Sequence, residues 1–206
     1  MSRSSVVPGF LPSTNGLGFA NRFPPGPTVR LGPLDPRWIG VGDAAAGLCG
    51  GMSWLVREWF ETGRTIPATD APPANGSPLF RALVRRQVRS LDWLRTPVRF
   101  WWMGAMSDAA AARQTQEHEW PAIQARLDDG RLAIVGLVRH SGWDPFRLTD
   151  SHQVLGYGYT LDEAGTATIR IYDPNWPGRD DVTVTVDAAA IRQSTGEPLR
   201  GLLSLR

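Results

Sequence analysis

The apolar positions change period once along the chain. Up to residue 130 they recur mostly at helical spacing; beyond it they alternate or cluster as strands do. Met52, Leu55, Val56, Trp59 and Phe60 form one apolar stripe of helical period. Gly50 and Gly51 open that segment and Gly63 closes it, so Cys49 is expected at or just before the helix N-terminus. Residues 62–76 read as loop. Ser77-Pro78 then reads as an N-cap and a first-turn proline, with Phe80, Leu83, Val84, Gln87, Leu91 and Leu94 turned inward. Arg81, Arg85 and Arg89 recur every fourth residue on another face, which suits a solvated helix surface. A further helical stretch covers SDAAAARQTQEHEWPAIQARLDDG, with Pro121 restarting it and Gly130 ending it.

After residue 130 the segment LAIVGLVR (132–139) fits a central strand. QVLGYGYT (153–160), a turn at DEAG and TATIRIYD (166–173) form an antiparallel hairpin. DVTVTV (181–186) alternates strictly, and GLLSL (201–205) is placed to close the sheet. Helices first and sheet second predict an α+β architecture with segregated elements.

Composition adds an arm to this picture. The 22 glycines and 17 prolines are about a fifth of the chain, against roughly 12% in an average protein, and many crowd into the first forty residues. Such a stretch is expected to lack regular helix or sheet. Phe10, Phe19, Phe23 and Trp38 within it argue for packing onto the rest. The expected division is therefore an arm over residues 1–40 and a domain over 41–206.

Charge and residue counts then narrow the chemistry. The 206 residues carry a formal charge of +2, from 22 basic and 20 acidic side chains, and every basic one is arginine. Near-balance gives no support for nucleic-acid or membrane-surface binding. Without lysine there is no Schiff-base amine and no Walker-type phosphate loop. A single cysteine, Cys49, excludes an intramolecular disulfide and multi-cysteine metal sites. The N-terminal residues lack the apolar run of a signal peptide and no segment approaches transmembrane length, so the expectation is a cytoplasmic protein.

Cys49 and three histidines survive this exclusion. A helix N-terminus favours thiolate over thiol, and the flanking glycines let a substrate backbone approach the sulfur. Against this stands the commoner fate of a lone thiol, which is to be a small buried hydrophobe. His152 stands where loop meets strand, and chain reversal in the hairpin brings Asp173 or Asn175 near it. A hydrogen bond donated by the imidazole to either would fix its tautomer. Nucleophile, base and orienter then follow in the order Cys, His, Asp or Asn. His118 reads as a surface residue and His140 as structural. Gly40-Val-Gly42-Asp-Ala-Ala45 mimics a dinucleotide fingerprint but lacks a surrounding βαβ unit. A metal site on Cys49 and His152 would need Asp150 or Asp173 as well, which the spacing does not suggest. No cofactor and no metal are expected. Trp54 and Trp59 read as core or its edge, Trp101, Trp102 and Trp143 as a cleft wall or packing, and Trp176 as a shield or packing.

A cysteine at a helix start, a histidine beginning a strand that runs on to Gly-Tyr, and a strand ending in Asp-Pro together resemble the papain-like cysteine peptidase superfamily. The portion HQVLGYGY…IYDPNWPG looks most like its bacteriocin-leader-processing (double-glycine) branch. The resemblance covers residues 47–60 and 131–180, roughly a third of the chain. It implies a papain-like fold with the cysteine helix packed against the C-terminal sheet. It also implies Cys49 as nucleophile, His152 as base and acid, and Asp173 as orienter, with Asn175 in reserve. The family's oxyanion glutamine, about six residues before the cysteine, is here Asp43, which cannot donate when ionised. The Cys49 N–H supplies one donor, and Asn21 in the arm is the candidate for a second. The implied activity is thiol hydrolysis or acyl transfer on a peptide or small amide or ester. The alternative is an inactive papain-fold module that binds a peptide or small molecule. Oligomeric state is left open.

Overall fold

The computed structural model describes residues 2–24, 47–92, 95–144, 147, 150–187 and 190–206. Trp38, Asp43, Leu94, the Gly40–Ala45 string and the 40/41 division lie outside the described residues. The architecture is α+β, built on an antiparallel sheet that curls upon itself.

The arm does contain regular structure, contrary to the sequence expectation. β1 (Arg3–Val6) and a one-turn helix, α1 (Pro12–Asn15), precede the Pro-rich stretch. The reason lies in β3 (His152–Leu161), whose ten residues outrun β2 (Ala133–Val138). β2 pairs with the first half, from Leu137 opposite His152 to Ala133 opposite Gly156. β1 then pairs with the second half, from Val6 opposite Gly158 to Arg3 opposite Leu161. An edge that would otherwise stand unpaired is covered. Gly158 makes the approach feasible, since a Cβ there would lie 2.9 Å from the Ser5 carbonyl oxygen. Val7, Phe10, Leu17, Phe19 and Phe23 follow into the core, all buried.

Among the described residues, five helices of more than one turn come next. The cysteine helix, α2 (Cys49–Glu61), packs on α3 (Pro78–Ser90) and on β3. Met52, Leu55 and Val56 are fully buried, as the stripe requires. The Ser77 hydroxyl accepts from the Phe80 N–H at 3.2 Å, so the predicted cap and first-turn proline are in place. Arg81, Arg85 and Arg89 lie exposed. α3 stops at Ser90, short of the expected Leu94, because Leu91 caps it and Asp92 turns into the left-handed region at φ 42°. α4 (Arg95–Ala105) was not expected from its aromatic, β-branched sequence. Tertiary packing of Phe100 and Met103 against β2 and the last strand overrides that propensity.

α5 (Asp108–Gln114), a π-helical turn (Thr115–Glu119) and α6 (Trp120–Asp128) form one continuous rod. Pro121 does not break it; the wide turn just upstream accommodates a residue without an N–H. That turn also serves the sheet. Its Thr115 hydroxyl and Glu119 carboxylate accept the Leu202 and Ser204 N–H groups of β7 (Gly201–Leu205), protecting an edge strand.

The remaining strands are β4 (Ala167–Tyr172), β5 (Thr183–Val186) and β6 (Ile191–Gln193), the last too short to have been anticipated. The sheet order is β6-β5-β4-β3-β2-β7, with β1 beside β3. Every position of β2 and the first eight of β3 are buried, which requires cover on both faces. Four strand spacings of about 4.8 Å would separate β6 from β2 in a flat sheet. Yet the Arg139 side chain, just past β2, donates to Gln193 on β6 at 2.9 Å. Only a curled sheet brings those ends together.

The closest helix approach is between α2 and α3. A Cβ on Gly51 would lie 2.3 Å from the Leu83 carbonyl oxygen, a backbone atom that cannot swing away. Gly51→Ala is therefore expected to destabilise the fold by about 1–3 kcal/mol, read as a lower urea midpoint at unchanged slope. Gly201→Ala serves as comparison: its clash is with the flexible Met103 sulfur, so the loss should be smaller.

Candidate functional site

Three side chains far apart in sequence meet where α2 begins. Asp173 comes first, because its position is dictated by local chemistry. It follows β4 directly and opens the turn Asp173-Pro174-Asn175-Trp176, closed by the Trp176 N–H donating to the Asp173 carbonyl at 2.9 Å. Proline at the second position suits such a turn, and aspartate at the first can accept from the backbone two residues on. It does so: the Asn175 N–H reaches Asp173 Oδ1 at 2.8 Å. The same oxygen meets His152 Nε2 at 2.7 Å. Asp173 has no exposed surface and His152 has 4%. Of the two orienters foreseen, Asp173 is the one bonded to the imidazole, and Asn175 contributes its backbone N–H.

Cys49 arrives from the other direction. β4 pairs with β3 only from Leu155 onward, and α2 takes up the backbone of Gln153 instead. The Ser53 hydroxyl, one turn into α2, donates to the Gln153 carbonyl at 3.1 Å. The backbone N–H groups of Gln153 and Gly50 help to hold the Cys49 thiol below its ordinary value. Gly50 leaves room here: a Cβ would lie 2.7 Å from Ser90 Oγ and 2.9 Å from Gln153 Oε1, so those side chains would have to shift. The Gly51 N–H is satisfied by Gln87 Oε1 at 2.8 Å. Cys49 is the first residue of α2, with part of its surface still open. Cys49 lies close enough to the His152 imidazole for each to shift the other's ionisation, and with Nε2 held by Asp173 the ring nitrogen left for the sulfur is Nδ1.

The electrostatics follow from this geometry. Burial alone would push the Cys49 thiol up, but the charge and hydrogen bond of His152, aided by the Gln153 and Gly50 N–H groups, outweigh it and hold the thiol below its ordinary value. Burial would likewise strip His152 of its proton. Asp173 and Cys49 reverse that, raising the imidazole to about 9. Asp173 in turn stays below the usual carboxylate value despite its burial, through His152, the Asn175 N–H and Gln193. All three shifts act in the same sense, each favouring the charged form of its group.

Asn21 reaches the same region, though in another manner than foreseen. Its Oδ1 accepts the Leu48 N–H at 2.6 Å, and its own N–H donates to the Pro174 carbonyl at 2.8 Å. It ties the residue before Cys49 to the turn that carries Asp173. The Cys49 N–H, at the first position of α2, has no acceptor within the helix. His118 is exposed. His140 is fully buried with Nδ1 3.0 Å from Ser151 Oγ, so it links the end of β2 to the residue before His152. Trp143 is exposed and packs edge-on against Trp101, while Trp54, Trp59 and Trp176 are half-buried against the core.

Gln193 and Arg139 were not anticipated. Gln193 Nε2 donates to Asp173 Oδ2 at 2.7 Å, and Arg139 donates to Gln193 Oε1. A three-residue strand carrying one glutamine offers no periodic signal that would single it out. Among the described residues, no cluster of His, Cys, Asp and Glu could hold a metal ion, and no helix is long and apolar enough to cross a membrane.

Titration of Cys49 by thiolate absorbance should show an inflection below the ordinary thiol value of about 8.5. His152→Ala should move it back up toward that value, because burial is then opposed only by the Gln153 and Gly50 N–H groups. Asp173→Ala should cost on the order of 3 kcal/mol in urea unfolding, since it breaks a buried pair and strands the Gln193 and Asn175 donors.

Compared with known proteins, the chain matches no family model, no curated protein and no solved structure. The functional reading therefore rests on this chain's own residues.

Proposed function

We propose that the protein is a papain-like thiol hydrolase or acyl-transferase acting on an amide or ester bond, with Cys49, His152 and Asp173 as its catalytic triad. One observation carries the reading: the row of Cys49, His152 and Asp173, with Asp173 wholly buried against His152 at 2.7 Å and the thiol held low. A buried carboxylate aligned on an imidazole that faces a partly open thiol is the arrangement nucleophilic catalysis needs.

In this mechanism the Cys49 thiolate attacks the substrate carbonyl carbon. Charge moves to the carbonyl oxygen, where the Cys49 N–H donates to it. The imidazolium of His152 delivers its proton to the departing amine or alcohol, and the carbon–heteroatom bond breaks to leave a thioester. Water enters, His152 removes its proton, and the thioester is hydrolysed to a carboxylic acid and the free thiol. An amine in place of water gives acyl transfer. Asp173 keeps the imidazole ring turned with Nδ1 toward the sulfur throughout.

An activated ester tests this without knowledge of the natural substrate. With p-nitrophenyl acetate, a burst of p-nitrophenol equal to the enzyme concentration and an acetyl group on Cys49 by mass spectrometry are expected. His152→Ala should slow acylation by at least about 10²-fold, the lower range for a general acid–base. Cys49→Ala should abolish the burst. A wild-type protein without burst or adduct would instead support the alternative, a papain-fold module that binds a peptide or small molecule without turnover.

A further inference from the structure

The far side of Asp173 is as deliberately occupied as the side facing His152. Oδ1 accepts from His152 Nε2 and from the Asn175 N–H, at 2.7 and 2.8 Å. Oδ2 accepts from Gln193 Nε2 at 2.7 Å. Gln193 is itself 5% exposed, and its Oε1 accepts from Arg139 Nη2 at 2.9 Å.

The orientation of that amide is forced by its partners. A guanidinium only donates and an ionised carboxylate only accepts, so Gln193 must turn Oε1 to Arg139 and Nε2 to Asp173. Arg139 thus selects one of the two faces of the amide. A row of five groups results: Arg139, Gln193, Asp173, His152 and Cys49. The glutamine has a second consequence. It stands between a full positive charge and the carboxylate, so Asp173 is held in place without a direct cation that would compete with the imidazolium for its charge. Beside this row, the buried Tyr172 phenol is raised by burial and by the Asp173 charge. Glu197 feels Arg139 and accepts from Thr195 and from Trp176 Nε1, and Arg179 stacks over the Trp176 ring.

We propose that Gln193 is a positioning residue of the site, which Arg139 orients and which locks the Asp173 carboxylate so that Oδ1 faces His152. This rests on the thiol-enzyme reading but is read out on the thiol itself, with no need of substrate. Without the Nε2 donor, the carboxylate is free to turn toward Asn175, its bond to the imidazole weakens, and the imidazolium that sustains the thiolate is less favoured.

The test is the rate of Cys49 alkylation by iodoacetamide as a function of pH in the full chain. Gln193→Met keeps the volume and removes the donor. Its inflection should move up by about one pH unit, which is roughly tenfold less thiolate at a pH below the wild-type inflection. Arg139→Met should shift it the same way by less, because the amide remains but is no longer selected. The low-field proton signal of His152 Nε2–H should move upfield and broaden in both variants. Fluorescence and urea midpoints establish that each variant is folded; if Gln193→Met is not, Arg139→Met carries the test. A wild-type inflection below the ordinary thiol value with unchanged profiles in the folded variants would overturn the role of Gln193 and leave the thiol reading standing. A wild-type inflection at the ordinary value would overturn both.

Discussion

The arrangement around α2 depends on one buried contact, the carboxylate of Asp173 against the imidazole of His152. An ionised carboxylate with no exposed surface is tolerated only when its lone pairs are met. Here three donors meet them, from a strand start, a turn and a short edge strand. Each donor fixes the element that carries it. The β3 start cannot shift without uncovering Oδ1, the Asp-Pro turn cannot open without losing the Asn175 N–H, and β6 cannot detach without stranding Oδ2. What appears as a local hydrogen-bond cluster is therefore a constraint on the curl of the sheet.

The cysteine helix is fitted to that frame by backbone rather than by side-chain bulk. Gly50 and Gly51 let α2 approach Ser90, Gln153 and Leu83 more closely than any larger residue allows. Ser53 and the sulfur together occupy the Gln153 backbone where β4 does not pair. The helix N-terminus thus acts as a substitute strand for a residue or two. Its dipole and the imidazolium then act on one thiol in the same direction, both favouring the anion.

Much of this was legible from residue order, and the limits have physical causes. The cysteine stripe, the Ser77-Pro78 cap, the hairpin from 153 to 173 and the strands ending at 186 and 205 follow from period and turn chemistry, which are local. The approach of Asp173 to His152 was readable because a hairpin converts sequence order into spatial order. α4 escaped because Phe100 and Met103 are helical only through what they pack against. β1 escaped because its partner edge exists only once β3 outruns β2. Gln193 escaped for a related reason: its role is set by the curl of the whole sheet, which no window of sequence contains. Asn21 was singled out as a donor, yet its bond runs from Oδ1 to the Leu48 N–H, a matter of amide orientation that composition cannot express.

The residues that build the candidate site come from positions 21, 49, 152, 173 and 193, and the strand carrying His152 borrows its edge from residues 3–6. Contacts of such long separation form late in folding, after the entropy of closing large loops has been overcome. During synthesis the segment bearing Cys49 emerges well before its imidazole, its carboxylate and the glutamine behind them. Until those strands join, the His152 charge that lowers the Cys49 thiol is not beside it. The order of the chain thus delays the arming of its single sulfur until the surrounding fold is nearly complete.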